Sequence, residues 1–352
     1  VETGDGPVPV DTGFIVYNQR NYPLLTGLFE HLGVRTQPTS MSFSVSADAG
    51  RYEYAGSGLA GLFAQRSNLL NPRHLGMLAA IARFNRDAKR LLNYAAGDPV
   101  SVDDFIARGA YGAAFRDRYL LPMAAAIWSC PVETMGSFPA ASLIRFFANH
   151  GLLDLHNRPQ WRTVCGGSRR YVSKLLEPLR GKVTCQDPVT AVRPNDGGAT
   201  VYAEKSGAQH FDAVVLACHA DQALRLLDRP TAHQRGLLGA FRYQRNRALL
   251  HGDAELMPRR RSVWSAWNYL TSEGQRGTDA VSVSYWMNCL QRLDTAPPLF
   301  VTLNPLREPR AARVFAEIEY SHPVFDQPAM AAQAQLASLQ GDQAIWFCGS
   351  YF

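Results

Sequence analysis

The sequence predicts an α/β chain, α+β overall, built from two domains. Three observations predict it. At 352 residues the chain is too long for one average domain and suits two. Between Trp161 and Leu227 a glycine pair, a short amphipathic helix, an extended segment (Val183–Val192), a hairpin and a buried strand (Ala213–Ala217) follow one another. A helical stretch precedes this block, and segments rich in aromatic and branched residues follow it.

The elements read in order. Val8–Tyr17 alternates and predicts a strand. Tyr22–Leu32 predicts a helix with Leu25, Leu28, Phe29 and Leu32 on one face and Gly33 as its stop. Met41–Val45 and Arg51–Tyr54 predict a hairpin around Ala47-Asp48-Ala49-Gly50. From Pro72, which suits a first helical position, to about His150 the signal is helical and predicts an inserted cap. Arg247–His251, Ser262–Tyr269, Val281–Asn288 and Leu299–Asn304 suit a mixed or antiparallel sheet. A last helix, Ala329–Leu339, leads into a terminal strand, Ala344–Gly349.

Composition excludes several classes. An apolar fraction of 46% with 19% charge is globular. The net charge of +6 is a mild bias, compatible with an anionic cofactor or an anionic membrane surface. No RNP-like run and no zinc-finger spacing is present, so a nucleic-acid partner is not expected. The six cysteines stand alone without a CxxC, which suits small buried side chains in a reducing compartment. The longest apolar run, Tyr119–Val132, is too short for a transmembrane segment and contains Pro122. The expected location is cytoplasmic, with peripheral contact at the inner membrane face left open. The chain opens in strand-like residues and stops in IWFCGSYF, which reads as a fragment cut at both ends.

Several motifs invite chemistry. Gly56-Ser57-Gly58-Leu59-Ala60-Gly61 matches GxGxxG, but Arg51 and Glu53 predict a half-exposed strand before it, and Met77–Arg83 holds no acid. A glycine-rich turn is the better reading. In Cys165-Gly166-Gly167-Ser168 the glycines admit close approach of backbone to a ligand, and Ser168 can cap the following helix. The segment Pro188–Val192 can present the Val189 backbone to an adenine edge. Phe211–His219 can run as a parallel strand whose end, Ala217-Cys218-His219, faces a cofactor. His219 reads better as a loop histidine than as a base, because no carboxylate is evident to orient it. His150 and His156 lack metal-ligand spacing, and no metal site is expected. Arg259-Arg260-Arg261 reads as a solvated turn, and Trp264, Trp267, Tyr285 and Trp286 as core or as a pocket wall.

Longer stretches carry a resemblance. VDTGFIVYNQRNYPLLTGLFEHLGV, YLLPMAAAIWSCPVETM, FPAASLIRFFANHGLL, RPQWRTVCGGSRRYV, FRYQRNRALLH, WSAWNYL and WFCGSY together resemble the bacterial FAD-dependent amine oxidase-like proteins. These are predicted NAD/FAD-binding oxidoreductases associated with cyclopropane fatty acid synthases. The resemblance implies a GR2-type FAD-binding Rossmann-like domain, incomplete here, with an inserted substrate domain of mixed sheet and helical cap. It implies an FAD-binding domain from residues 1–40, 161–227 and 336–352, and a substrate domain from 41–160 and 228–335.

It also implies roles for matched positions. Gly13 and Phe14 would lie near the isoalloxazine ring. Gly166 and Gly167 would begin the second FAD-domain section, and Val189 would meet the adenosine half. Ala217 and Cys218 would approach the dinucleotide, with Gly349 and Ser350 by the pyrophosphate and ribityl chain. The implied activity is hydride transfer from a substrate carbon to flavin N5, with an acyl or lipid substrate. The alternative is a non-catalytic flavoprotein partner of a lipid-modifying methyltransferase. No catalytic residue is implied. The family's opening strand–GxGxxG–helix unit and its loop after the terminal glycine are not seen in this sequence. This polypeptide is therefore expected to be inactive and to bind FAD weakly.

Overall fold

The computed structural model describes residues 1–4, 6–92, 100–154, 158–179, 183–272, 282–294 and 297–352. They form two compact units, Val1–Pro178 with Arg245–Tyr320, and Leu179–Gln244 with Ser321–Phe352.

The first unit is organised by a seven-stranded mixed sheet. Its order is Val314–Val324, Arg242–His251, Phe300–Leu303, Ser282–Trp286, Trp267–Leu270, Phe43–Ala47 and Tyr52–Ala55. Phe43–Ala47 runs parallel to Trp267–Leu270, with Val45 opposite Tyr269, and antiparallel to Tyr52–Ala55. The expected hairpin is present, and Asp48, Ala49 and Gly50 turn it through positive φ. Each strand expected near residues 247–304 has a counterpart in this sheet, but Ser262–Tyr269 is strand only from Trp267, the strand expected at Val281–Asn288 ends at Trp286, and Val281 lies outside the described residues. The strand Val314–Val324 was not anticipated, although Ala316-Glu317-Ile318-Glu319-Tyr320 alternates apolar and charged residues as a half-exposed strand does.

The helical region begins where expected. Pro72–Leu91 has Pro72 in its first turn, and the Asn71 side chain accepts from Arg73 N and His74 N. Val102–Arg108, Leu121–Trp128 and Ala140–Asn149 follow. Phe84 is fully buried and meets Phe115 (5.2 Å between centroids), Tyr111 (5.8 Å) and Phe105 (6.0 Å). Such rings fill a core layer in edge-on and tilted pairs.

Two expectations about strands fail. Val8–Tyr17 is a loop, with only Tyr17–Asn18 paired, against Trp161–Val164. The reason is that Asp11, Phe14 and Ile15 spend their polar groups on distant side chains instead of a ladder. Tyr52–Ala55 is fully buried, not half-exposed. The Glu53 carboxylate inside it accepts from Ser46 Oγ (2.8 Å), Arg259 N (2.7 Å) and Arg260 Nη1 (2.8 Å). A buried carboxylate with this many donors is tolerated. Arg260 is therefore an anchor rather than a solvated residue, and Arg261 lies over Trp264 (3.7 Å) and Trp286 (4.8 Å). The GxGxxG match leads only into the short helix Gly58–Leu62 behind an antiparallel edge strand, so the glycine-rich-turn reading stands.

The second unit holds a three-stranded antiparallel sheet, Val189–Asn195, Gly198–Ala203 and Gly207–Phe211. It also holds a parallel pair, Val214–Leu216 with Ile345–Phe347. Residues 183–188 do not extend the first of these strands. The parallel pair is buried on one face only: Leu216, Ile345 and Phe347 face the core, while Val215 is 61% exposed. The last helix is shorter than expected, Gln327–Gln333, followed by a 3₁₀ turn at Leu336–Leu339.

Within the large sheet a chain of buried polar groups crosses the strands. Asn268 Oδ1 accepts from Ser44 Oγ (2.7 Å), and Asn268 Nδ2 donates to Ser284 O (2.9 Å). Ser284 Oγ meets Thr302 Oγ1 (2.7 Å), which meets His251 Nε2 (2.7 Å). His251 Nδ1 accepts from Asp253 N (3.1 Å), so this nitrogen is deprotonated. Burial pushes the His251 imidazole from 6.5 down to about 4. The unfolded chain then binds a proton that the folded chain refuses, so stability falls as pH drops between those values. Thermal unfolding midpoints should decline from about pH 6.5 to about pH 4, and His251→Gln should flatten that slope. An unchanged slope in the variant would assign the acid sensitivity to other groups.

Candidate functional site

In the first unit a carboxylate draws together the expected flavin positions. Asp11 accepts from Ser168 N through Oδ1 (3.0 Å) and Oδ2 (2.9 Å), from Ser168 Oγ (3.2 Å) and from Gln291 Nε2 (3.1 Å). Its own N–H donates to Gln291 Oε1 (2.8 Å). Ser168 Oγ also reaches Phe14 O (2.9 Å), and Thr163 Oγ1 donates to Ile15 O (2.9 Å). Gly13, Phe14, Gly166 and Gly167 are thereby placed around one loop-to-turn junction. Ser168 does not cap the helix Arg169–Leu176 with its side chain, as expected from sequence, because Asp11 and Phe14 claim it.

The two glycines are required here. Gly166 and Gly167 have φ of +81° and +84°, a region that costs other residues about 1 kcal/mol or more. A Cβ on Gly167 would lie 3.1 Å from Asp11 Oδ1. Burial raises the Asp11 pKa above the ordinary carboxylate value, opposed by its bonds to Ser168 and by the Arg169 charge. The start of this helix is therefore already occupied by an anion of the protein's own. Gly13 is different: nothing lies within 4 Å of a Cβ built on it, and Phe14 beside it is 38% exposed.

In the second unit the parallel register sets Leu216 beside Phe347, and Cys348 N donates to Leu216 O (3.1 Å). Ala217, Cys218, Gly349 and Ser350 thus lie together beyond the C-terminal ends of paired strands, where α/β sheets receive ligands. A Cβ on Gly349 would sit 2.8 Å from the Tyr351 ring and 3.2 Å from Cys218 O. The Tyr351 hydroxyl is buried with no hydrogen-bond partner among the described residues. Val189 belongs to the antiparallel sheet instead and is 37% exposed. His219 stacks on Tyr243 (4.4 Å, 14°), and its N–H donates to Gln222 Oε1 (3.2 Å), which is a structural role.

The first unit also contains a cavity of about 990 Å³. One wall is a continuous stripe of the helix Pro72–Leu91, formed by Leu78, Ile81, Ala82, Asn85, Arg86 and Lys89. Facing residues include Met41, Phe43, Tyr54, Tyr119, Met123 and Leu153. Burial pushes the Tyr119 phenol up to about 12, with Arg158 acting in the opposite sense.

All six cysteines are free, and no group of metal-ligating side chains occurs among the described residues. His156 lies outside the described residues. No helix among the described residues is long and apolar enough to cross a membrane.

The sequence model of the family described as flavin containing amine oxidoreductase matches residues 1–301. The chain belongs to that family. No curated protein sequence matches this flavin oxidoreductase. Among solved structures it resembles putrescine oxidase bound to putrescine, with a TM-score of 0.64, 16% identity, and 97% of this chain and 85% of that one covered. It resembles cyclohexylamine oxidase from Brevibacterium oxydans IH-35A at a TM-score of 0.64 and 12% identity, covering 99% of this chain and 84% of that one. It also resembles a CLA-producing fatty acid isomerase from P. acnes at a TM-score of 0.60 and 13% identity, covering 97% of this chain and 82% of that one. At these identities the likeness is one of fold.

The cofactor of the family is FAD. Each unit holds residues that fit such a group: the open Gly13–Phe14 edge in the first, and the glycine turn with its Tyr351 hydroxyl, unpartnered among the described residues, in the second. Sequence reasoning missed Asp11, although it stands two residues before Gly13, because its partners are 157 and 280 residues away. It also missed Asn85, Arg86, Lys89 and Arg158, which read as an ordinary polar helix face and a loop. Asp11→Ala should lower stability by about 2–3 kcal/mol, because the Ser168 N–H and Gln291 lose their acceptor, and Asp11→Asn by about 1 kcal/mol. Denaturant unfolding measures both; equal, negligible losses would remove Asp11 from this role.

Proposed function

We propose that this flavin oxidoreductase takes a hydride from a carbon of an elongated apolar substrate, an acyl chain or a lipid. The observation that carries the reading is the cavity of about 990 Å³, half of whose lining residues are aliphatic, methionine or tyrosine. Gly13 and Phe14 would border the flavin ring, Gly166 and Gly167 would shape the turn behind it, and Val189, Ala217, Cys218, Gly349 and Ser350 would hold the rest of the dinucleotide. Residues 1–40, 161–227 and 336–352 would serve the cofactor, and 41–160 with 228–335 the substrate.

When bound, FAD supplies the hydride acceptor. The chain's own part is to position the substrate carbon and keep water away. The apolar part of the cavity wall would keep water from the substrate carbon, and the high pKa of Tyr119 keeps its phenol protonated. This division explains why no acid–base pair is evident at the junction around Asp11.

In the FAD-loaded protein, anaerobic addition of a long-chain acyl compound should bleach the flavin absorbance. Bleaching by amines but not by acyl compounds would overturn the substrate assignment. Capture of a lipid methyltransferase with no bleaching at all would favour the non-catalytic partner role. Gly13→Ala should leave the melting temperature of the FAD-free protein unchanged, since the added methyl meets open space. It should weaken FAD binding roughly tenfold, because a buried methyl at a flat ring costs on the order of 1–3 kcal/mol. Unchanged FAD affinity would remove Gly13 from the flavin contact.

A further inference from the structure

The cavity is graded along its length. The helix stripe passes from Leu78, Ile81 and Ala82 through Asn85 to Arg86 and Lys89, a rise of about 17 Å at 1.5 Å per residue. Along this helix wall apolar side chains therefore line one end and cations the other. Arg158 lines the cavity as well, and its charge is felt at the buried Tyr119 phenol.

The charges at that end do not cancel. Asp154 is the one carboxylate among the described lining residues, and Lys89 Nζ already pairs with its Oδ1 at 2.5 Å. Arg86 meets Asp87 at 3.3 Å, outside the lining. Arg158 spends its Nε on the Asp154 backbone carbonyl (2.7 Å), and its guanidinium has no carboxylate partner among the described residues. Asn85 Oδ1 is buried with no partner, and the amide makes no hydrogen bond among the described residues, so either end of it can turn to a ligand.

We propose, resting on the reading of this cavity as the substrate site, that the substrate is a single apolar chain ending in an anionic head group. Arg158 would be the head-group anchor, Asn85 would lie between head and tail on the helix stripe, and the tail would lie along Leu78 and Ile81. A guanidinium binds carboxylate and phosphate by paired hydrogen bonds, so both heads share the required chemistry. A protonated alkylamine would face the uncompensated Arg158 charge, and the one carboxylate among the described lining residues, Asp154, is already paired with Lys89. The cationic end thus sets this cavity against the amines that the family's name suggests.

Binding tests this without turnover. Dodecanoate, dodecyl phosphate, dodecanol and dodecylamine are titrated against the FAD-loaded protein by calorimetry, at low and high salt. The anions should bind at least about tenfold tighter than the alcohol and the amine, and salt should narrow that gap. Arg158→Gln should bring the preferred anion to the level of dodecanol while leaving dodecanol unchanged, and Arg158→Lys should restore part of the difference. The tighter of the two anions identifies the head group. Amine binding equal to or tighter than the anions, or an equal loss of dodecanol and anion in Arg158→Gln, would overturn the proposal. Flavin that amines bleach while dodecanoate fails to bind sinks the anionic head but leaves the oxidoreductase reading intact.

Discussion

The Asp11 carboxylate is the contact on which the first unit's junction depends. It ties the loop around Gly13 to the glycine turn at Gly166–Gly167 and to Gln291. A charged acceptor bound by backbone and side-chain donors is among the stronger interactions a protein makes. Burial works against its charge, and the donors around it offset that cost. Because the carboxylate sits where the helix Arg169–Leu176 begins, it replaces the external anion that such a helix end would otherwise attract. The loop is left to present a bare glycine and a half-exposed phenylalanine to whatever lies next to them.

The buried Glu53 plays a comparable part in the sheet. Its strand is surrounded, and the charge is accepted because Arg259 and Arg260 deliver both backbone and side-chain donors to it. The edge of the sheet next to the cavity is thereby held in register with the turn at residues 259–261. The polar chain from Ser44 through Asn268, Ser284 and Thr302 to His251 does the same across the interior strands. Buried networks of this kind specify one arrangement because every misregister leaves a donor or acceptor empty.

The cavity has a different logic. Its shape comes from a long helix laid beside the sheet, and its chemistry comes from the order of residues along one face of that helix. The same face that half-buries Leu78 and Ile81 carries Arg86 and Lys89 two turns later. An ordinary amphipathic helix separates apolar and charged residues around its circumference. This one also separates them along its length, which gives the cavity a direction.

Much of the secondary structure was legible in the residues. The helix at Pro72 announced itself by Asn71 and Pro72, the hairpin by Ala47-Asp48-Ala49-Gly50, and the glycine turn by Cys165-Gly166-Gly167-Ser168, because each signal is local. Family membership was legible in the same way, through motifs such as VDTGF and WFCGSY. What the chain could not show on its own was which distant groups meet. The strand reading of Val8–Tyr17 failed because Ser168, Thr163 and Gln291, far along the chain, claim its polar groups. The exposure of Glu53 was misread because its donors lie about two hundred residues on. Local propensity determined most of the elements; the tertiary structure decided the fate of Val8–Tyr17, and it alone decided burial, charge pairing and the cavity, since those depend on contacts that carry no mark in either partner's neighbourhood.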